Sequence, residues 1–174
     1  MEIFDRNLIR DIADFPIKGI TFKDITPLIA DGPNFCRVID LLSDISKNSH
    51  YIAGVESRGF IFAAAVAQAT GKGFIPIRKA GKLPGKVISQ SFDLEYGSAS
   101  LEIHQDIYEA GKSVTIIDDV LATGGTAIAA INLVKKIGLK IDSVSFLLEI
   151  SQLEGKSRIL ATYPDLQINL LLAE

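Results

Sequence analysis

Cysteine is nearly missing from this chain of 174 residues: Cys36 stands alone, so no intramolecular disulfide can form. A reducing, cytoplasmic setting is the simplest expectation. Cys36 sits among apolar helix positions and reads as a small buried hydrophobe, not a nucleophile. Histidine is almost as scarce. His50 and His104 stand far apart and no His-x-x-x-His occurs, so a zinc site built from protein side chains is not expected. Long hydrophobic runs are missing as well. The longest, Phe60 to Ala67, is far short of the roughly 18–20 residues that cross a bilayer, so no membrane partner is expected. The first residues, with Glu2, Asp5, Arg6, Arg10 and Asp11, lack a signal-peptide core. A basic excess is also absent. The net charge of −3 argues against nucleic acid as a partner, because such domains are usually strongly basic.

Several motifs are lacking too. There is no Gly-x-Gly-x-x-Gly and no Gly-x-Ser-x-Gly, so dinucleotide redox chemistry and serine hydrolysis lose their usual signals. Gly54 and Gly59 have the spacing of a P-loop's glycines, but Phe60 stands where its lysine should be.

What is present is an ordinary globular balance, 48% hydrophobic and 22% charged, with length for a sizeable core in one domain over residues 1–174. Asn7 to Ile12 reads as a short helix and Phe15 to Ile29 as irregular, punctuated by Pro16, Gly19 and Pro27. Pro33 suits a first helical turn, and Phe35, Val38, Ile39, Leu42 and Ile45 follow at helical spacing. Tyr51–Val55, Phe74–Ile77, Val114–Ile117, Val144–Leu148 and Ile168–Leu172 are continuous apolar runs that read as buried strands. Phe60–Ala69 and Gly124–Ile137 read as helices between them. Lys79 to Ser100 is polar, glycine-punctuated and reads as a long mobile loop. The alternation predicts an α/β fold with a mostly parallel twisted sheet flanked by helices.

Ligands in such folds bind beyond the carboxyl ends of the strands. Glu56, Ser57 and Arg58 follow the first of these strands; Arg78, Lys79 and Lys82 follow the next; Asp118 and Asp119 follow the third. The loop Ala122-Thr123-Gly124-Gly125-Thr126 then opens a helix. Helix N-termini carry unpartnered N–H groups and a positive dipole, and two glycines let an anion approach closely. The loop is therefore either a phosphate cradle or an ordinary helix start. The neighbouring acids are either a solvated pair or acceptors for sugar hydroxyls or hydrated Mg²⁺.

The run Val114 to Thr126, with four apolar residues, two acids and a small/Thr/Gly/Gly/Thr loop, resembles the phosphoribosyl pyrophosphate motif of type I phosphoribosyltransferases. Phe22–Leu28, Gly54–Phe60, Arg78–Gly85 and Leu94–Gly97 resemble the adenine branch of that family, in its order. One departure is visible: Lys18 replaces the second proline of a Phe-Pro-x-Pro-Gly segment. The resemblance implies a type I phosphoribosyltransferase fold with a small N-terminal hood and a flexible catalytic loop. It implies that phosphoribosyl pyrophosphate and adenine give AMP and pyrophosphate, with Mg²⁺ held through substrate and water instead of directly by the protein, in a homodimer. On this resemblance Ala122, Thr123, Gly124, Gly125 and Thr126 bind the 5-phosphate, and Asp118 and Asp119 meet the ribose. Ser57, Arg58, Arg78, Lys79, Lys82 and Tyr96 face the pyrophosphate. Glu95 is the general acid/base, with Arg58 beside the chemistry, and Thr21, Phe22 and Lys23 hold adenine. The alternatives are a 6-oxo purine as the base, or a phosphoribosyl-pyrophosphate-sensing regulator on the same fold.

Overall fold

The computed structural model describes residues 4–93 and 98–174. Two short strands, β1 (Arg10–Ile12) and β2 (Phe22–Asp24), pair antiparallel and form a small N-terminal hood. Two helices follow, α1 (Thr26–Ala30) and α2 (Gly32–Ile45). The Asp31 side chain caps α2 by accepting the Asn34 N–H at 3.0 Å, and Pro33 sits in the first turn, where its missing N–H costs nothing. Strand β3 (Tyr51–Val55), helix α3 (Arg58–Thr70) and strand β4 (Gly73–Lys79) form a parallel crossover unit. An antiparallel hairpin, β5 (Val87–Asp93) and β6 (Ser98–His104), joins β4 through β6. Strand β7 (Ser113–Leu121), helix α4 (Gly125–Lys136), strand β8 (Lys140–Glu149), helix α5 (Gly155–Thr162) and strand β9 (Ile168–Ala173) complete the chain.

The large sheet runs β5-β6-β4-β3-β7-β8-β9, and the five strands from β4 to β9 are parallel. Continuous apolar strands result because both faces are covered. Ile116 packs into one core with α4 and α5, while Ile117 packs into the other with α2 and α3. Phe146 and Leu147 divide in the same way. Each such side chain, fully buried, contributes roughly 1.5–3 kcal/mol relative to exposure. The chain leaves β3 for β4 on one side and returns to β7 on the other. The carboxyl ends of β3 and β7 therefore meet at a switch point, where a crevice opens.

Four local expectations change. Asn7–Ile12 is not a helix: a 3₁₀ turn covers Arg6–Leu8, and β1 follows because its backbone pairs with β2, a partner ten or more residues away. The region from Phe15 to Ile29, expected to be irregular, contains β2 and most of α1. Much of Lys79–Ser100 is the hairpin, in which Ile88 and Phe92 pack on the core while Val87, Ser89 and Ser91 alternate with them on the other face. Cys36 is exposed, not buried. It falls beside the stripe Phe35-Val38-Ile39-Leu42 and shares its own side of α2 with exposed Asp40.

Candidate functional site

The acid pair lies within a strand, not after one. Strand β7 continues to Leu121 because β8 stays paired to it past the acids, with Asp118 opposite Phe146 and Leu121 opposite Glu149. Asp119 is only 4% exposed. The first turn of α3 comes against it, and Arg58 Nε lies 2.8 Å from Asp119 Oδ2. The N–H is not aligned on that oxygen, so the contact is one of charge, and Oδ2 is buried with no hydrogen-bond donor among the described residues. Gly59 makes the approach possible. A Cβ there would stand 2.7 Å from Asp118 Oδ1 and 2.9 Å from the Ile117 carbonyl.

Arg58 also ties the hood to the sheet. Its Nη1 donates to the Lys23 carbonyl at 2.9 Å, and its guanidinium lies 4.6 Å from the centre of the Phe22 ring. Phe15 meets that ring edge-on at 5.1 Å. The half-buried Lys23 ammonium lies between Asp11 Oδ1 at 2.7 Å and Glu174 Oε2 at 2.5 Å. Burial opposes its charge, but the hydrogen bonds it donates to the two carboxylates, with their charge, outweigh that and hold its pKa above the usual lysine value. Arg58, Phe22, Lys23 and Asp119 thus come together from three segments, while Thr21 is exposed at the hood's edge.

Burial pushes the Asp118 carboxyl well above the usual carboxylate range, and the neighbouring Asp119 charge pushes it further. Burial also raises Asp119, opposed by Arg58. Two carboxyls enclosed side by side with a single cation against them make a site that gains from hydroxyl donors or a further positive charge.

The glycine loop follows directly. Gly124 takes φ +81°, which favours glycine, and precedes Gly125, the first residue of α4. A cavity of about 80 Å³ opens there, lined by Ala122, Thr123, Gly124, Gly125, Thr126 and, at its edge, Asp118. The N–H groups at this end have no partner within the helix. Two contributors escape sequence reading. Helix α5 packs behind the loop, with Arg158 Nη1 donating to the Thr123 carbonyl at 3.4 Å. Gly155 stands so close that a Cβ there would lie 2.1 Å from the Ala122 carbonyl. Only the glycine in an otherwise polar Gly155–Arg158 turn hinted at such an approach.

The basic residues differ in their freedom. Arg78 lies on β4 and grips Glu56 through two bonds of 3.1 and 3.0 Å, while its Nη1 donates to the Lys82 carbonyl at 2.9 Å. The hydrogen bond from Arg78 holds the Glu56 carboxyl below its usual value. The side chains of Lys79 and Lys82 are exposed at the rim, as is Ser57, whose peptide bond to Glu56 is cis. Glu95 and Tyr96 lie outside the described residues. Among the described residues no three His, Cys, Asp or Glu side chains converge as metal ligands, and no helix is long and apolar enough to cross a membrane.

A larger cavity, about 520 Å³, opens at the opposite end of the sheet, among Lys135, Asp142, Tyr163 and Leu166. Lys135 lies over the Tyr163 ring at 4.4 Å. It carries neither the acid pair nor the glycine loop.

Comparison with known proteins gives one picture. The phosphoribosyl transferase domain family model matches residues 29–167. The adenine phosphoribosyltransferase of Cutibacterium acnes is 50% identical over 154 residues, 88% of this chain and 87% of that protein. The crystal structure of adenine phosphoribosyltransferase from Thermoanaerobacter pseudethanolicus superposes with a TM-score of 0.90 at 43% identity, covering 97% of each chain. The APRTase of Giardia lamblia complexed with 9-deazaadenine gives a TM-score of 0.92 at 36% identity, covering 100% of this chain and 98% of that one.

Proposed function

This chain belongs to the adenine phosphoribosyltransferases of the phosphoribosyl transferase family, and from that premise we propose how its residues convert adenine and phosphoribosyl pyrophosphate into AMP and pyrophosphate. The bond from C1′ to the pyrophosphate oxygen breaks, the bond from C1′ to N9 forms, and N9 gives up its proton. The observation that carries the reading is the buried, donorless Oδ2 of Asp119 beside the glycine loop. A ligand with sugar hydroxyls and a phosphate supplies what each lacks.

The loop from Ala122 to Thr126 takes the 5-phosphate. Asp118 and Asp119 accept the ribose hydroxyls and set a negative field under the cationic character that develops at C1′. Arg58, Ser57, Lys79 and Lys82 stand on the pyrophosphate side, and Arg78 joins them when Glu56 yields it. Tyr96 belongs with this group. Glu95 exchanges the proton at the purine. Thr21, Phe22 and Lys23 form the base wall. The Arg58 guanidinium covers one face of Phe22, so adenine stacks on that face only after Arg58 swings toward the pyrophosphate. The 9-deazaadenine in the Giardia structure supports an adenine-shaped pocket.

Mg²⁺ fits the residues present: the acid pair offers hard oxygens for metal-bound water, and among the described residues no three acidic or histidine side chains converge as a cage, which suits a cation that keeps its waters and substrate phosphates. Held there by the acid pair through water, the ion would supply positive charge to the departing pyrophosphate. The same reading makes residues 1–174 one domain, since both cores share one sheet. It places the protein in the cytoplasm as a homodimer. Light scattering on the purified protein checks the dimer.

The test is pyrophosphate release from phosphoribosyl pyrophosphate and Mg²⁺, with adenine, hypoxanthine, guanine and xanthine supplied separately. Release with adenine alone is expected. Release with a 6-oxo purine overturns the base site, and no release with any base overturns the enzyme.

A further inference from the structure

Resting on the reading of Ala122–Thr126 as a phosphate cradle, we propose that Arg158, with Gly155, is a positioning residue that aims the cradle's amides at the 5-phosphate. It touches the loop from outside and not the ligand.

The argument starts from the peptide unit. All described peptide bonds in this loop are trans, so each carbonyl points opposite to the N–H of the next residue. Turning a carbonyl toward α5 therefore turns the following N–H toward the crevice. The Thr123 carbonyl is held by Arg158 Nη1 at 3.4 Å, and the N–H on the same peptide belongs to Gly124. The Ala122 carbonyl faces the backbone of Gly155, and the N–H on that peptide belongs to Thr123. Just before the loop, the Leu121 carbonyl accepts from Ile150 N at 2.9 Å, which anchors the entry. Consecutive N–H groups turned one way make an anion-binding nest.

Glycine is required for this packing. A Cβ on Gly155 would collide with Ala122 and also reach the Leu121 side chain at 2.9 Å, and a Cβ on Gly124 would stand 2.9 Å from the Gly155 carbonyl. Helix α5 and the loop are therefore in backbone contact, and Arg158 is the side chain that extends the contact to the middle of the loop. Its positive end draws on the carbonyl dipole and strengthens the opposite N–H as a donor.

Calorimetric titration with ribose 5-phosphate tests this, on the full chain and on Arg158→Ala and Arg158→Lys, beside steady-state kinetics. Loss of one such bond is expected to weaken ribose 5-phosphate binding about fivefold and to raise KM for phosphoribosyl pyrophosphate to match. The kcat and the KM for adenine stay within about twofold, because the loop is remote from the base. Arg158→Lys restores most of the loss, since an ammonium also donates to a carbonyl. Unchanged binding in Arg158→Ala, an equal loss toward adenine, or no rescue by lysine overturns the proposal. Failure of the unaltered protein to bind ribose 5-phosphate overturns the cradle reading itself.

Discussion

The two ends of the central sheet differ in a way that cavity size conceals. The amino end holds the larger space, about 520 Å³, against about 80 Å³ at the glycine loop. Tyr108 Oη is buried there without a partner among the described residues, but other hydroxyls at this end are paired. Ser49 Oγ bonds Thr115 Oγ1 at 2.8 Å and Asp142 Oδ2 at 2.9 Å, and Thr115 Oγ1 bonds Ser143 Oγ at 3.2 Å. These hydroxyls knit β7 to β8 and to the loop before β3. The carboxyl end is smaller, but it buries two adjacent carboxyls and leaves Asp119 Oδ2 without a donor. A folded chain keeps such a group only against a compensating interaction. An uncharged hydroxyl goes unpaired at the amino end, whereas at the carboxyl end it is a buried carboxyl oxygen that lacks a donor among the described residues, and that difference, not volume, separates the two ends.

Asp119→Asn breaks the contrast most strongly. On the role proposed for Asp119 it removes the field under C1′ and is expected to lower kcat/KM for pyrophosphate release roughly 100-fold or more, by analogy with loss of one preorganised electrostatic group. The folded state should persist, which far-ultraviolet circular dichroism checks.

Gly155→Ala comes next. The added methyl meets backbone at 2.1 Å, which neither side can yield by a rotamer change. The expected cost is about 2–3 kcal/mol of stability in urea unfolding, within the range for overpacked sites.

Thr115→Val sharpens the other side. It cuts the hydroxyl chain at the amino end and should cost about 1–2 kcal/mol in urea unfolding, while kinetic constants hold. A fall in kcat would show that the amino end is not purely structural.

The smallest effect is a difference in pH slope. Asp118 and Asp119 are raised by burial, so the native state keeps protons there that the unfolded chain loses above the ordinary value of 3.8. Their contribution is fully present below that pH and is lost as pH rises through the raised values. Glu56 is lowered by the hydrogen bond from Arg78, so its contribution is present above the ordinary 4.5 and is lost as pH falls through the lowered value. Urea unfolding across the acid range should show Asp119→Asn flattening the decline toward neutral pH and Glu56→Gln flattening the acid limb. Parallel curves for the two variants would remove the distinction.

The parallel core was legible because a strand covered on both faces must be apolar throughout, as Val114–Ile117 and Val144–Leu148 are. The acid pair and the glycine loop were legible because their chemistry is contiguous in the chain. The hood and hairpin were not. Strand β1 has three exposed residues and owes its form to β2, and the hairpin alternates polar and apolar residues in a segment whose glycines suggest a loop. Cys36 was misplaced because one position along a helix turns a side chain about 100° away from the core.

The sequence by itself determined the parallel sheet, the glycine loop and the paired carboxyls beside it, since periodicity and adjacent residues carry that information. Only the tertiary structure decided that Arg58 spans the acid pair and the hood, that Arg78 is held by Glu56, and that α5 backs the glycine loop. Those are contacts between segments far apart in the chain, and closing the sheet is what brings them within reach of one another.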